Sequence, residues 1–467
     1  ACTGAVVIRG GRTSHAALAA RSMGKPAVVG TLHLPGDAGG WLPEEELVEE
    51  GIAVGRGTLI TVDGTNGVIY LGEMPTVRLG QDTDFQEVMV WAGRYKSMLV
   101  QAVVETKDDI ARAENMGCDG IGLLRTEEMF LGPDRIDHFR CVILSDNKHA
   151  IQASLDALLP LQKQDFVDIF HTMGHREVCI RLLDYPLHAF VPRPDTPSFE
   201  QEMIELAVNL GVSVEKCKFR VQDLQEIDPM LGCRGSRLAI MRPDITELQT
   251  QAIVGAAIHV RDRGGEESNC KIMIPLVCTE HEVSLITPVI MQAAEAVCRG
   301  EGSRYSLDSL GLGVGSMIEL PRACIRAERI ADAAHIDLIT IGSDTLTKFM
   351  FGFSIEDAYL FMQAYIDRNL IAADPFLSID VHGVGGMIQM AVQRARRSKP
   401  GINVSVTGEH GGDPSSIRFF HSIGIDSISC PPNRIPIAKL AAAQAYIQEL
   451  ARRAAVAEHR MHVPLED

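Results

Sequence analysis

Arginines and carboxylates recur in this sequence at the ends of apolar runs, and together they describe an anion site. Arg125-Thr126-Glu127 follows Cys118–Leu124, Arg181 and Asp184 close Val178–Leu183, and Arg234 and Arg237 follow Pro229–Cys233. Glu319 follows Leu312–Ile318, and Gly342-Ser343-Asp344-Thr345 follows Leu338–Ile341. Thr407-Gly408-Glu409-His410-Gly411-Gly412 follows Asn403–Val406. Arginine's planar fork matches carboxylate and phosphate oxygens, and hard carboxylate oxygens suit magnesium. The set therefore suits a phosphorylated carboxylic acid bound with a divalent cation. One such arginine is explained as well by a surface salt bridge. Repetition after successive runs is not.

Those side chains need elements that carry them to one place. The six runs above, with Met98–Val104 and Lys271–Val277, make eight candidate strands, several with little polar alternation, as expected of strands buried on both faces. Periodic helical stretches such as Thr106–Met116 lie between them. This spacing predicts a (β/α)8 barrel over residues 97–467, whose site lies at the C-terminal strand ends. Residues 1–72 are rich in Gly and Val, with turn signals at Asp63-Gly64 and Asn66-Gly67, and read as a small β-rich domain that begins in mid-strand. Residues 73–96 read as a connector.

Composition narrows the function classes. The 467 residues carry 44 Lys and Arg against 61 Asp and Glu, a formal charge of -17 with no basic tract, which argues against nucleic acid. No apolar run reaches the roughly 18 residues that span a bilayer, and the Ala-rich stretch from Ile435 to Ala457 reads as an amphipathic helix. The 11 cysteines form no Cys-x-x-Cys pair, which points to a reduced, cytoplasm-like compartment without structural zinc.

Several stretches match a known family. Gly10-Gly11-Arg12-Thr13-Ser14-His15-Ala16-Ala17, with Gly24-Lys25-Pro26, resembles the swivelling β/β/α phosphohistidine domain of phosphoenolpyruvate (PEP)-utilising enzymes. Gly120–Glu127, Arg181–Asp184, Met317-Ile318-Glu319 and Gly408–Ser416 resemble their PEP-binding TIM barrel. Gly408–Ser416, with Leu440-Ala441-Ala442-Ala443-Gln444, is similar to the pyruvate, phosphate dikinase branch. The resemblance implies a phosphotransferase that interconverts pyruvate and PEP through a phosphohistidine, usually as a homodimer. His15 is then the carrier, since imidazole is nucleophilic near neutral pH and its phosphoramidate transfers readily. Arg125 and Arg181 hold the phosphate, Arg234 is a further substrate arginine, and Glu319 is a Mg2+ ligand. Thr13 sits where plant relatives carry a regulatory phosphothreonine, although the favoured reading of a threonine there is a plain helix cap. The ATP-grasp domain that charges the histidine has no counterpart in this sequence, so only the PEP/pyruvate half of the relay is expected here.

Four positions depart from the family's pattern. Asp344 stands for an asparagine that contacts substrate, and Thr345 for the second metal carboxylate, so Thr345 or Asp344 would join Glu319 at the metal. Ile355 replaces an arginine near the phosphate. Thr407 replaces the cysteine that acts as acid/base at the methylene carbon, a task a hydroxyl does poorly. Cys430 is expected to be structural. The alternative function is accordingly a catalytically impaired paralogue acting as a binding or regulatory module.

Overall fold

A computed structural model describes residues 3–7, 17, 20, 24–31, 47–49, 52–54, 57–76, 83–300, 305–306, 308–355 and 357–461. His15 and Thr13 lie outside the described residues.

Eight parallel strands close into a barrel: β1 (Leu99–Val104), β2 (Gly120–Arg125), β3 (Glu177–Arg181), β4 (Asn269–Ile274), β5 (Leu312–Ile318), β6 (Ile336–Gly342), β7 (Asn403–Thr407) and β8 (Ser427–Cys430). Each pairs with its neighbours in sequence, and β8 closes the ring on β1 with Ser427 opposite Leu99. The outward side chains of these strands meet the surrounding helices in one continuous core, which includes Val100, Ile121, Ile180, Ile272, Ile339, Val404 and Ile428. Inside the barrel, Leu123, Cys179, Met273, Met317 and Leu338 form an apolar layer. The helix Lys107–Asn115 starts at a capping box, with the Thr106 hydroxyl accepting from the Asp109 N–H and the Asp109 carboxylate accepting from Thr106 N–H.

Two strand assignments change. Pro229–Cys233 is not a strand but a loop before the helix Ser236–Met241, and Leu231 within it is 57% exposed. Proline cannot donate to a ladder, and this apolar run is spent on the surface. The eighth strand is Ser427–Cys430, which the apolar-run criterion passes over because Ser427 and Ser429 alternate with Ile428 and Cys430. Those serines are buried all the same. Arg234 and Arg237 thus follow a loop, while Glu319, Asp344 and Thr407 belong to the fifth, sixth and seventh strands rather than the sixth, seventh and eighth.

Near the N-terminus, Ala5–Val7 pairs in parallel with Ala27–Val29, while Leu47–Glu49 with Ile52–Val54 and Ile60–Asp63 with Val68–Leu71 form antiparallel hairpins. The Asp63 carboxylate holds the second hairpin's turn by accepting from the N–H groups of Thr65 and Asn66 at 3.0 and 3.1 Å. Within the expected connector, Thr83–Tyr95 is a helix that packs along the C-terminal helix Ile435–Met461 and buries Ala92. A barrel fragment released by limited proteolysis is therefore expected to retain Thr83–Tyr95. Mass spectrometry finding a stable fragment that begins after Tyr95 would refute that packing.

Candidate active site

Every strand runs the same way, so the residues at the C-terminal ends gather at one mouth. Arg125 ends β2 and forms an ion pair with Glu105, the residue after β1. Arg181 ends β3 and is 7% exposed. Its Nη2 donates to Glu127 Oε1 at 2.8 Å, and its Nη1 lies 3.1 Å from Asp184 Oδ2. Burial opposes that charge, but Glu127, Asp184 and Glu319 override it and raise the guanidinium's pKa. Arg234 grips the other side of Asp184, with Nη2 2.6 Å from Oδ2 and Nε 3.1 Å from Oδ1. Gly235, at φ +57°, permits this approach, because a Cβ there would lie 2.8 Å from Asp184 Oδ1.

A supporting layer fixes the end of β3. Thr126 Oγ1 donates to the Arg181 carbonyl at 3.0 Å and accepts from Gln249 Nε2 at 2.8 Å. Gln249 Oε1 in turn accepts from Leu183 N–H at 2.9 Å. The two arginines are thus preorganised rather than swept through solvent. Gln249 and Glu105 had no motif to reveal them. Each is defined by what it touches.

Glu319 follows β5 and is 2% exposed. Burial raises its pKa, Asp184 adds to the effect, and Arg181 and Arg234 oppose it. Its Oε1 accepts from Leu276 N–H at 3.1 Å, and Leu276 takes a φ of 51°, a strained value for a side-chain-bearing residue. Oε2 has no hydrogen-bond partner among the described residues. Gly342 leaves room for this carboxylate, since a Cβ there would stand 2.6 Å from Glu319 Cγ. Within this cluster the three guanidiniums of Arg125, Arg181 and Arg234 face the four carboxylates of Glu105, Glu127, Asp184 and Glu319, and Asp344 adds another carboxylate across the mouth.

After β6 the chain enters the helix Ser343–Phe351. Ser343 Oγ lies 3.1 Å from the Thr407 carbonyl and 2.8 Å from His410 Nδ1. His410 Nε2, 2.7 Å from the Pro375 carbonyl, can only be the donor there. Both Asp344 oxygens accept from Glu409 N–H, at 3.1 and 3.2 Å. Gly408 has φ +134°, and a Cβ on it would meet Asp344 and Ser343 within 2.7 Å. Thr345 is half-buried beside them, and Thr407 is buried with Oγ1 unpartnered. Ile355 packs against the cluster of Ala358, Met362 and Phe376. Cys430 is buried in β8 among core residues.

Four buried polar atoms at this mouth find no partner: Arg125 Nε, Arg181 Nε, Glu127 Oε2 and Thr407 Oγ1. Protein interiors rarely leave such groups unpaired unless a ligand or water meets them. Among the described residues no group of three or more His, Cys, Asp or Glu side chains is arranged to hold a metal.

A closed parallel barrel that gathers guanidiniums and carboxylates at the C-terminal ends of its strands has the anchoring groups to which phosphate and carboxylate oxygens bind. Residues 80–447 match the family described as PEP-utilising enzyme, PEP-binding domain, and residues 1–67 match its mobile domain. The chain belongs to the PEP-utilising enzymes. It is 39% identical over 447 residues to pyruvate, phosphate dikinase of Clostridium symbiosum, covering 95% of this chain and 49% of that protein. The Rhizobium meliloti pyruvate, phosphate dikinase is 42% identical, with 96% and 48% covered. The chloroplastic pyruvate, phosphate dikinase 1 of Arabidopsis thaliana is 38% identical, with 96% and 45% covered. The chain spans about half the length of these relatives.

Proposed function

We propose that this chain performs the PEP/pyruvate half of a pyruvate, phosphate dikinase relay, passing a phosphoryl group between PEP and His15. The supporting observation is the buried Arg181–Asp184–Arg234 cluster, held rigid by Glu127 and Gln249, with unpartnered polar atoms beside it. Guanidiniums fixed before the substrate arrives stabilise transferring phosphoryl charge without reorganising. In the forward half-step the enol oxygen–phosphorus bond breaks and a bond from phosphorus to the His15 nitrogen forms. The enolate left behind becomes pyruvate by gaining a proton at its methylene carbon. Arg125 and Arg181 serve the phosphate, and Arg234 serves the substrate with less direct support.

A magnesium ion fits this site in one way. Asp184 is taken up by two arginines, Asp344 by Glu409 N–H, and Glu127 through Oε1 by Arg181 and Asp184 N–H, which leaves Glu319, bonded to Leu276 N–H alone, as the least committed carboxylate and Thr345 as a neutral neighbour in sequence to Asp344. Magnesium is commonly held by one or two carboxylates with substrate oxygens and water completing its shell. The excess negative charge of the mouth favours the same arrangement, because an anionic substrate needs a cation to enter. Bound there, the ion would supply Lewis-acid charge to the enolate and phosphoryl oxygens.

A second reading, an impaired paralogue that binds without turning over, draws on Thr407 and on Ile355 lying in an apolar cluster. A homodimer and a reducing compartment belong to the first reading. The ten cysteines described are free, no helix of the described residues is long and apolar enough to cross a membrane, and the relatives include bacterial and chloroplastic proteins.

Calorimetric titration with PEP tests the proposal. Binding is expected with magnesium and not without it, and absence of binding under both conditions refutes the reading. Glu319→Gln is expected to lose the magnesium-dependent binding yet raise the Tm, since it keeps the acceptor for Leu276 N–H and removes a buried excess charge. A lower Tm in the unliganded variant would show that the carboxylate is stabilising in its own right.

A further inference from the structure

We propose that the barrel interior binds one ordered water molecule just beneath the mouth, held by Thr407, Ser429 and Gln101. These residues occupy neighbouring register positions on β7, β8 and β1, with Thr407 opposite Ser429 and Ser429 opposite Gln101. Their exposures are 3%, 0% and 0%. Thr407 Oγ1, Ser429 Oγ and Gln101 Oε1 all lack a hydrogen-bond partner in the protein. Three adjacent orphans are a pattern, not an accident of one rotamer.

Two of the three oxygens converge on Gly122 of β2. A Cβ on that glycine would lie 1.8 Å from Ser429 Oγ and 2.6 Å from Gln101 Oε1, so both oxygens crowd its bare side. The orientation of Gln101 is fixed as well: Nε2 donates to Glu177 Oε1 at 2.9 Å, which turns Oε1 away from Glu177. Flipping the amide would set two acceptors against each other. Nearby, Thr340 and Ser405 satisfy one another at 2.7 Å, so polar side chains inside this barrel pair where they can.

Neighbouring strands lie about 4.8 Å apart, so Ser429 is within one water's span of each flanking residue, and Thr407 and Gln101 reach the same water from the strands on either side of it. Buried waters typically have two to four polar partners, and this site offers three. The three oxygens are neutral, the Glu177 carboxylate beside Gln101 is engaged by its amide, and the Asp344 carboxylate beyond Thr407 is engaged by Glu409 N–H. That favours a neutral guest over an ion. The water donates to Gln101 Oε1 and to Thr407 Oγ1 and accepts from Ser429 O–H. Thr407 O–H is then left free to donate toward the mouth.

A crystal structure of the whole chain that resolves solvent should show a peak within hydrogen-bonding distance of all three oxygens. Thr407→Val is near-isosteric and removes one partner. With the water in place it should lower the Tm by about 2 °C or more, because the water loses a bond. In a dry interior it should raise the Tm, because an unpaired hydroxyl is replaced by a methyl. Ser429→Ala should move the Tm in the same direction. An interior without the peak, a raised Tm in Thr407→Val, or a peak that exchanges for rubidium would each overturn the proposal.

Discussion

Asp184→Asn is expected to lower the Tm more than any other single change at the mouth and to abolish PEP binding. Asp184 is fully buried and is the shared counter-ion of Arg181 and Arg234. Asparagine preserves its shape but sets a neutral amide between two guanidiniums held a few ångströms apart. Removing one partner of a buried ion pair typically costs about 3–5 kcal/mol, because the partner charge stays buried without compensation. Adding Arg234→Met should recover part of that stability without recovering binding, since the two changes share one contact and will not add. Thermal denaturation of the single and double variants, alongside calorimetry with PEP, measures both effects. A single variant that melts like the unmodified chain would mean that the Asp184 contacts do not form in solution.

The second large effect is a gain. With magnesium and labelled PEP, the unmodified chain is expected to label His15 very slowly, and the triple change Asp344→Asn, Thr345→Asp, Thr407→Cys to accelerate labelling by about a hundredfold or more. The triple change supplies the missing thiol acid at position 407 and a carboxylate beside the metal site, and it removes a negative charge that now faces Glu409 N–H. Ile355→Arg is left out deliberately. Ile355 packs with Phe353 and Phe361 around Ala358 and Met362, where a guanidinium would lose its water. A further His15→Ala should abolish the label. Fast labelling of the unmodified chain would show that another group delivers the proton, and the impaired-paralogue reading would fall.

The barrel was legible in the sequence because parallel strands buried on both faces are written as apolar runs, and seven of the eight were. Ser427–Cys430 was not, because its inward face is polar and its four residues offer no run. Pro229–Cys233 took its place in the count, so eight came from one omission and one substitution. Strand-end positions were legible for Arg125, Arg181, Asp184, Glu319 and Thr407, since the motif and the end of the run coincide. What pairs with them was not. Glu105 lies one residue past β1 and Gln249 lies in the middle of a helix, and no spacing links either to the arginine or threonine it meets. The Leu276 N–H that serves Glu319 is a backbone group, present at every residue but proline and marked at none.

The way the ring closes has a consequence for how the protein is made. The seam joins β8 to β1, so Ser427 must find Leu99, and the helix Thr83–Tyr95 must find Ile435–Met461, across nearly the full length of the barrel. Contacts so distant in sequence close slowly, after the local ones have formed. During synthesis β1 through β7 can assemble as an open sheet while β8 is still unmade, exposing two unpaired strand edges for as long as the ribosome needs to finish. Open edges of that kind recruit other strands, from the same chain or from a neighbouring nascent one. Half of the last strand is serine. Serines that suit a buried interior leave the final closing piece soluble while it waits.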